Sequence, residues 1–412
     1  MFSPFFYPEV ISTGKYNSVL AQALMEAGAS VQVVCFYPSY PSWKPTIDSQ
    51  EIPGITAHRA GRWVRYPGHE LLRRAVLEIS FAWHAAISAF RLRREADVVV
   101  IVFPPSLASL FIQTIFPASV RRIGIVHDLQ GILGLSDGGR FYGLLSRVVN
   151  AVEKRGFRSC DHLILLSRDM ASVAKLELQL DEAKLKVCYP FTTIRNCEHI
   201  GSSLAQLFPS SARHVVYSGA LGKKQNSYGL AELFRKAAVA IPDVHFHILS
   251  GGPIFEILKG KNSVQPISNL HFHDLVKESD LEELYLRSTV QVIPVLDIAS
   301  NSCLPSKLPN ILAAGCPVLA ICNSDSELAH LLQTTGFAEV VPSWEYHQFL
   351  ESLRKSLSLA DRSTHEERRT RVKALLSSHF SLDALVSAVL DARLPAIQAS
   401  SLESVTDEYQ ST

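Results

Sequence analysis

The strongest chemical pattern in the chain is the run LPSKLPNILAAGCPVLAI at residues 304–321. After Pro305 and Ser306, apolar residues recur at helical spacing until a glycine and a proline separate them from the strand-like VLAI. The start of a helix offers free backbone N–H groups and the positive end of the helix dipole, here beside the Ser306 hydroxyl and Lys307. The pattern predicts a site for a phosphate-bearing ligand, with an ordinary helix cap as the alternative.

A second candidate phosphate site is the loop GALGKKQ, which lies between the strand-like HVVYS and a predicted helix. Its glycines, Gly219 and Gly222, let backbone amides approach an anion, and Lys223 and Lys224 supply positive charge. Such charge would offset a departing diphosphate. The G-x-x-x-x-G-K-S/T spacing of a Walker loop is missing here, which disfavours a P-loop ATPase.

Three more loops follow predicted strands and carry glycine or polar residues. They contain Gly14, His127 with Asp128, and Gly251 with Gly252. In parallel sheets, ligands bind in the crevice outside the carboxyl ends of the strands, so each loop is a candidate for ligand contact. Histidine can also contribute a proton or a hydrogen bond near neutral pH. A simple structural loop is the alternative at each position.

Histidines and cysteines are the residues in this chain most suited to bind a transition metal. His245 with His247, and His271 with His273, are each two residues apart and would share one face of a strand. No third ligand of suitable spacing accompanies them, so the sequence predicts no metal site. The seven cysteines are scattered, odd in number and without a C-x-x-C pair, so neither a disulfide framework nor a zinc site is indicated. We expect a cytoplasmic protein.

The composition is that of an ordinary globular protein, with 412 residues, 47% of them hydrophobic and 19% charged. This length argues for two domains rather than one. With 40 Lys and Arg residues against 39 Asp and Glu, the overall charge gives no indication of a nucleic-acid partner. We recognise no signal peptide, and two prolines break the apolar run at residues 98–120, which favours a buried strand and a helix over a membrane span.

Two aromatic segments are candidates for contact with sugars or lipids. The proline-rich loop at residues 37–45 contains Trp43 and is stiff and apolar with polar tips, which suits a sugar face or the membrane interface. Arginines bracket the apolar helix predicted at residues 75–90, so this helix could lie on an anionic bilayer surface. Packing into its own domain is the alternative for both segments.

Strands, loops and helices alternate in both halves of the chain. This order predicts an α/β fold of two Rossmann-like, doubly wound domains facing a cleft. We expect an N-terminal domain at residues 1–190 and a second domain at residues 191–378. A last helix at residues 379–398 is expected to pack back on the first domain, and the polar residues 399–412 are expected to be disordered.

These motifs resemble those of GT-B glycosyltransferases of family 4, most closely the bacterial exopolysaccharide and colanic acid biosynthesis type. The matching segments are PE, glycine and KY in the first loop, then SGALGKKQ and LPSKL. The resemblance covers nearly the whole chain. It implies a GT-B fold with an N-terminal acceptor domain and a C-terminal nucleotide-sugar donor domain.

The resemblance also implies roles for individual residues. Three would be catalytic, namely His127 at the donor sugar and leaving group, and Lys224 and Lys307 at the diphosphate. Donor contacts are expected from Gly14, Gly219, Gly222, Lys223, Gly251, Gly252, Leu275, Pro305, Ser306 and Asn310, and acceptor-side contacts from Glu9, Tyr16, Trp43 and Asp128. Family members typically carry two glutamates eight residues apart where this chain has Ser302 and Asn310. Asn310 can still hydrogen-bond a ribose hydroxyl, but without charge.

The resulting hypothesis is a retaining, metal-independent hexosyltransferase of surface polysaccharide synthesis. It would move a sugar from a nucleotide-diphosphate donor to a lipid-linked or oligosaccharide acceptor, with no cofactor beyond that donor substrate. We expect it at the cytoplasmic face of the plasma membrane, bound peripherally to an anionic lipid surface. Two alternatives stay open: a sugar-nucleotide 2-epimerase of the same fold, and a catalytically weakened nucleotide-sugar-binding subunit, which Ser302 and Asn310 would favour.

Overall fold

The structure of the protein is a computed structural model. It describes residues 1–9, 11–40, 42–47, 50–129, 140–176, 178–194, 201–222, 225–296 and 304–390, apart from the side chains of residue 70 and residues 140–146. The chain divides into two compact units, unit 1 from Met1–Cys188 with the segment that begins at Leu382, and unit 2 from Tyr189–Ser381. The sequence placed the boundary at residue 190, close to this division. The expected tail at residues 399–412 lies outside the described residues.

Helices and strands alternate along both units. The strands are β1 (Gln32–Phe36), β2 (Thr56–Ala60), β3 (Val98–Phe103), β4 (Arg121–Val126), β5 (His162–Leu165), β6 (Leu185–Val187), β7 (Arg213–Ser218), β8 (Val244–Leu249), β9 (Leu270–His273), β10 (Val290–Pro294), β11 (Val318–Ile321) and β12 (Ala338–Val341). The α-helices are α1 (Ser12–Glu26), α2 (Glu70–Leu92), α3 (Leu107–Ile115), α4 (Arg140–Arg158), α5 (Arg168–Leu176), α6 (Ser227–Ala240), α7 (Pro253–Val264), α8 (Leu281–Arg287), α9 (Leu308–Ala313), α10 (Glu327–Gln333), α11 (Tyr346–Arg362), α12 (His365–His379) and α13 (Leu382–Leu390).

Unit 1 is built on parallel strands that the first residues of the chain connect. β1 pairs with β2, and β3 to β6 pair in chain order. The Phe2 backbone hydrogen-bonds β3 through Val100 and Val102 at 2.7 and 3.0 Å, while the Ser3 N–H donates to Val34 of β1. Among residues 2–6, the β-bridges to β1 and β3 are formed by Phe2.

The C-terminal helix α13 belongs to unit 1 and packs against α1. The Arg121 guanidinium donates a hydrogen bond of 3.1 Å to the Leu390 carbonyl, which fixes the end of α13 beside β4. The sequence predicted a returning helix at residues 379–398. The described part of this helix, α13, begins at Leu382, after α12 has ended at His379, and residues 391–398 lie outside the described residues.

Unit 2 is a doubly wound sheet of six parallel strands in the order β12-β11-β10-β7-β8-β9. The order starts at β7 and grows in both directions, so helices that connect successive strands cover both faces. Buried apolar residues fill the space between sheet and helices, among them Val215, Phe234, Phe246 and Phe349. The carboxyl ends of β7, β8, β9 and β10 therefore lie along one edge, which carries most of the donor-side residues predicted from the sequence.

Gly315, which follows α9, shows why the sequence needs a glycine to leave this helix. Its φ is +64°, and a Cβ atom there would lie 2.2 Å from the His365 carbonyl oxygen. The Gly315 carbonyl in turn accepts a 2.6 Å hydrogen bond from the buried Arg368. This close approach of α9 to α12 sets the position of the segment that holds Lys307.

Two helical stretches, Leu71–Leu92 and His365–Leu390, are long and apolar enough to cross a membrane. Within their most apolar windows, 39% and 33% of the residues are buried. Length and composition alone are weak evidence for a span, because core helices of soluble proteins pass the same test. The apolar run at residues 98–120, predicted to be a strand and a helix, forms β3 and α3.

Candidate active site

The loop after β7 is folded tightly against the start of α6. Gly219 has a φ of +147°, which turns the chain out of the strand. The Gly222 N–H donates to the Gln225 side-chain oxygen at 3.1 Å, and the Ser227 hydroxyl donates to the Gly222 carbonyl at 3.0 Å. These contacts hold both predicted glycines at the carboxyl edge of the sheet. Lys223 and Lys224, which follow them, lie outside the described residues, as does Ser302.

Lys307 joins this loop to the segment before α9. Its ammonium group donates to the carbonyl of Ser218, the last residue of β7, at 3.2 Å and to the carbonyl of Val292 in β10 at 3.3 Å. It also lies 4.3 Å from the centre of the Tyr217 ring. The two runs that the sequence marked as phosphate sites therefore meet at one lysine.

The Lys307 side chain is half-buried. Burial lowers its pKa to about 7, because the protein interior solvates the ammonium less well than water does. Within the part of the chain that the structure describes, no carboxylate lies at ion-pair distance from it. An anion that bound here would raise this pKa and hold the lysine in its charged form.

The helix that follows Lys307 is shorter than the sequence suggested. α9 has only six residues, and Pro305 and Ser306 precede it in a turn, the first half-buried and the second exposed. A helix of this length adds few aligned peptide dipoles. The attraction for an anion therefore comes from the Lys307 charge more than from a helix dipole, which corrects the emphasis of the sequence interpretation.

The next two strands bring further candidates to the same edge. Gly251 and Gly252 lead from β8 into α7, where Gly252 has a φ of +93° and Pro253 opens the helix. No atom lies within 4 Å of the position that a Cβ would take at either glycine, so the backbone there is open to a ligand. Leu275, just after β9, is 49% exposed. The topology thus places these three residues along one edge with Gly219 and Lys307.

In unit 1, Glu9 has a structural contact that the sequence did not indicate. Its buried carboxylate accepts hydrogen bonds from the backbone N–H groups of Ser39 at 2.8 Å and Tyr40 at 3.2 Å. Gly14 lies against it, since a Cβ there would be 3.1 Å from the Glu9 Cβ. Gly14 and Tyr16 were predicted in or beside a loop, but both lie inside α1. Glu9 therefore anchors the aromatic loop after β1 to the first loop.

Trp43 is held inside its own unit. Its ring packs edge-on against Tyr66, with centroids 5.3 Å apart, and the Arg73 guanidinium lies 4.6 Å from its centre. The residue is half-buried with a φ of +55°. The sequence left open whether the loop with Trp43 contacts a sugar or the membrane, or packs onto its own domain. The contacts described here are of the second kind.

His127 follows β4 at its carboxyl end, where its N–H donates to the Phe103 carbonyl at 2.9 Å. Burial lowers the pKa of its imidazole to about 4, against a smaller opposing effect of the neighbouring Asp128. The ring is therefore neutral at pH 7. Its Nε2 atom is buried and meets no hydrogen-bond partner among the described residues. A neutral imidazole in this position can exchange a hydrogen bond with a ligand but is a poor acid.

Comparison with known proteins bears on this arrangement. Residues 13–189 match the family described as glycosyl transferase 4-like domain. The chain is 24% identical over 380 residues to WcaI of Escherichia coli (strain K12), named as a colanic acid biosynthesis glycosyl transferase, with 87% of this chain and 91% of that protein covered.

Two solved structures share the architecture. Sucrose-phosphate synthase from Thermosynechococcus elongatus superposes with a TM-score of 0.69 at 16% identity, over 92% of this chain and 91% of that one. WaaG, a glycosyltransferase involved in lipopolysaccharide biosynthesis, gives a TM-score of 0.65 at 15% identity, over 95% and 99%. At these identities the structures establish the fold.

The chain is a glycosyltransferase of the GT-B fold. The α/β class and the Rossmann-like architecture predicted from the sequence are confirmed by these comparisons. The roles of individual residues stay predictions, and they rest on the geometry described above.

One contact of this glycosyltransferase departs from the expected role of Asn310. The side chain is buried, and its oxygen accepts from the N–H groups of Thr193 at 2.8 Å and Ile194 at 3.4 Å. Its nitrogen donates to the Thr193 hydroxyl at 2.9 Å. The residue expected to hold a ribose instead ties residues 193–194 to α9. Local sequence could not signal this contact, because the partners are 117 residues apart.

The paired histidines of the glycosyltransferase belong to a cluster of five on one face of β7, β8 and β9. Hydrogen bonds of 3.0 to 3.1 Å join His214 to His247, His247 to His273, and His245 to His271. Strand alternation predicted the pairs, but the fifth member, His214, comes from a separate strand. No group of three or more potential ligands within the described ranges is placed to hold a metal ion.

The hydrogen bonds determine which ring nitrogens carry protons. His214 faces the Pro209 carbonyl at 3.0 Å through Nε2, so that nitrogen carries the hydrogen and Nδ1 accepts from His247. His247 in turn donates through Nε2 and accepts from His273 at Nδ1. A second proton on His247, at Nδ1, would face the Nε2–H group of His273, unless the His273 proton moved to its other ring nitrogen. In the neutral state, each of these ring-to-ring hydrogen bonds has one donor and one acceptor.

Burial and mutual repulsion keep these rings neutral below the usual histidine range. Burial, followed by the neighbouring histidines, lowers the pKa of His271 to about 4 and that of His247 further. Burial also lowers the pKa of His214, which faces Arg287, and of His273, where Lys259 adds to the effect and Asp274 opposes it. Since the unfolded chain takes up these protons near pH 6.5, stability is present above that pH and is lost as the pH falls toward about 4.

We therefore expect unit 2 to lose stability in mild acid. Each histidine that stays neutral in the fold lowers the free energy of unfolding by about 1.4 kcal/mol per pH unit below the unfolded pKa. His247→Gln should reduce this slope, although it also loses hydrogen bonds worth roughly 1–3 kcal/mol at pH 7. Hydrogen–deuterium exchange of β8 peptides from pH 7 to pH 5, corrected for intrinsic rates, measures the slope.

The control is His330→Gln, since this exposed residue on α10 lies outside the cluster. It should leave the pH dependence of the parent unchanged. A parent protein whose β8 protection is the same at pH 5 as at pH 7 would contradict the neutral cluster.

Proposed function

We propose that this glycosyltransferase moves a sugar from a nucleotide-diphosphate donor to a saccharide acceptor in bacterial surface polysaccharide synthesis. The observation that carries the proposal is the position of Lys307, a half-buried lysine without an acidic partner among the described residues, bonded at 3.2 Å to the strand end that opens the Gly219 loop. The likeness to a protein named for colanic acid biosynthesis supports the polysaccharide context. In this proposal, unit 2 binds the nucleotide-sugar donor.

The proposed chemistry is stabilisation of a departing nucleoside diphosphate. When the bond between the sugar and the diphosphate breaks, negative charge grows on the leaving oxygen, and a positioned cation lowers the energy of that state. Lys307 supplies this charge from the described edge, and Lys224 is proposed as its partner from the adjoining loop. We propose that these lysines replace a metal ion and that the sugar keeps its anomeric configuration. No cofactor beyond the donor substrate is needed.

Unit 1 is proposed to contribute contacts to the sugar. The buried Nε2 of His127 is available to a donor-sugar hydroxyl or to the leaving oxygen, and its neutral ring suits a hydrogen bond rather than acid catalysis. Asp128, the next residue, is proposed to contact the acceptor. Glu9 is proposed to act indirectly, because its carboxylate holds the loop of Ser39 and Tyr40.

The weakened binding subunit is the second candidate. The contacts of Asn310 favour it, since its amide is occupied by Thr193 and offers the ribose less than a free glutamate would. Such a protein would bind a nucleotide sugar without turnover. Incubation with labelled UDP- and GDP-hexoses, with and without membrane lipid extracts, separates transfer to lipid, release of an epimerised donor and binding alone.

Lys307→Ala is expected to lower turnover about 100- to 1,000-fold, the effect of removing one charge-stabilising group from a developing anion. Lys307→Arg should retain more activity, because it keeps the charge. The rate of sugar transfer from the active labelled donor measures both variants, and the parent should keep its rate in EDTA.

Lys355→Ala is the matched control. This lysine lies on α11 of the same unit, is 57% exposed and pairs with Glu351, so its loss should change the rate less than twofold. An alanine variant of Lys307 with parental turnover would remove this lysine from the site, and activity that EDTA abolishes and magnesium restores would refute the metal-independent mechanism.

We also propose that α2 rests on an anionic membrane surface, which would place the enzyme at the cytoplasmic face beside a lipid-linked acceptor. One face of α2 is core, with Phe81, Ala85 and Ala89 at most 1% exposed. The opposite face carries an apolar row spaced three, four or seven residues apart, formed by Leu72, Ile79, Trp83, Ile87 and Phe90, each at least 40% exposed. Such a row with neighbouring arginines is typical of helices that lie in the lipid headgroup region.

Trp83→Ser combined with Phe90→Ser should weaken binding to vesicles of phosphatidylglycerol and phosphatidylcholine at least tenfold in sedimentation, because both apolar anchors are lost. Arg91→Glu with Arg94→Glu should have a similar effect at low salt, since each basic residue near an anionic surface contributes about 1 kcal/mol. High salt should release the parent.

The control replaces two equally exposed apolar residues of unit 2, Val239 and Val264, at 69% and 81% exposure, by serine. This variant should bind vesicles like the parent. If the Trp83 and Phe90 variant also sediments like the parent, α2 does not contact lipid and a soluble acceptor is favoured.

A further inference from the structure

We propose that Tyr217 is a positioning residue for the sugar transfer, whose ring holds the Lys307 ammonium and whose hydroxyl holds the loop at residues 219–222. The inference rests on the proposed function, in which these two elements bind the donor diphosphate. No motif in the sequence indicated a role for this tyrosine, which occupies a core position of β7.

The contacts of Tyr217 point in two directions. Its hydroxyl donates a 2.6 Å hydrogen bond to the Ala220 carbonyl, only three residues further along the chain. This return is possible because Gly219, at a φ of +147°, turns the loop over the ring, with its Cβ position 3.6 Å from the tyrosine oxygen. The ring centre lies 4.3 Å from the Lys307 nitrogen. One side chain thus touches both predicted diphosphate-binding elements.

Packing alone does not account for a tyrosine here. The side chain is 1% exposed within the main core of unit 2, where a phenylalanine would fill nearly the same volume. A buried hydroxyl is retained without penalty only when it has a partner, and the partner in this case is a loop carbonyl. The hydroxyl therefore fixes the loop, while the ring fills the core.

The ring also affects the charge of Lys307. A cation over an aromatic face is attracted by the negative face of the ring, more strongly when water is excluded. Apart from this ring, the described contacts of the Lys307 nitrogen are the carbonyls of Ser218 and Val292. Burial alone accounts for the lowered pKa of Lys307, with no contribution from another titratable group that the structure describes. Loss of the ring would lower that pKa further and leave less of the lysine charged.

The test compares two substitutions that separate ring from hydroxyl. Tyr217→Phe keeps the ring, so the alkaline limb of kcat/KM against pH should stay in place, while the donor KM rises about fivefold to tenfold from the loss of the loop anchor. Tyr217→Leu removes both groups. Its alkaline limb should shift to lower pH, so that its deficit relative to the parent grows about tenfold between pH 6 and pH 8.

Tyr285→Phe is the control, since this tyrosine of α8 is also buried in unit 2 but does not contact Lys307. It should leave KM and the pH profile unchanged. Tyr217→Met, similar in volume and without a ring, replaces the leucine variant if that variant does not fold. A general loss of stability would lower activity at every pH, but it would not move the alkaline limb.

Two outcomes separate this inference from the proposed function. If Lys307→Ala is inactive while folded Tyr217→Leu or Tyr217→Met keeps the parental pH profile and Tyr217→Phe keeps the parental KM, the role of Tyr217 is overturned and the donor site stands. If Lys307→Ala itself has parental activity, the donor site is refuted and the inference falls with it.

Discussion

The structure depends on how the Lys307 ammonium is kept at the carboxyl edge of the unit 2 sheet with no carboxylate at ion-pair distance among the described residues. Two carbonyls and one aromatic face replace part of the water that Lys307 loses. They do not fully offset burial, because the pKa of this lysine falls to about 7. An anionic ligand can supply the remaining stabilisation of the charged ammonium. A carboxylate partner would have stabilised the lysine and, at the same time, removed its attraction for a diphosphate.

The fold keeps this lysine in place through glycines and parallel strands. Gly315 allows α9 to approach α12, and Gly219 turns the following loop over Tyr217. The sheet order then puts the ends of β7, β8, β9 and β10 on one edge, so that loops far apart in sequence meet there. The site follows from strand order and from a few positions where a side chain would not fit.

What could be predicted from the sequence was local. The runs around Lys307 and Gly219 were found because glycines, lysines and apolar spacing lie within a few residues of each other. The contact between Asn310 and Thr193 joins residues 117 apart, and no nearby pattern marks it. The same applies to Glu9, whose partners are backbone groups rather than side chains. Backbone partners leave no trace in residue types, so such contacts need the fold.

The histidine cluster could be predicted from the sequence only in part. Alternation along β8 and β9 predicted which histidines share a face, but not that β7 would add His214 beside them. The spacing of the histidines argued against a metal site, but it could not show that their rings would hydrogen-bond one another. In the structure, the ring nitrogens of these histidines face one another.

The central claim is that the Lys307 charge, which has no carboxylate partner among the described residues, binds the donor diphosphate. Proton uptake on binding tests this claim most directly. Titration calorimetry of UDP and GDP binding at pH 8, in buffers of different ionisation enthalpy, gives the number of protons taken up. Because the pKa of Lys307 is about 7 and a bound anion raises it, we predict uptake approaching one proton for the nucleotide that binds, lost in Lys307→Ala. Binding without proton uptake, or equal uptake in the alanine variant, would contradict the account.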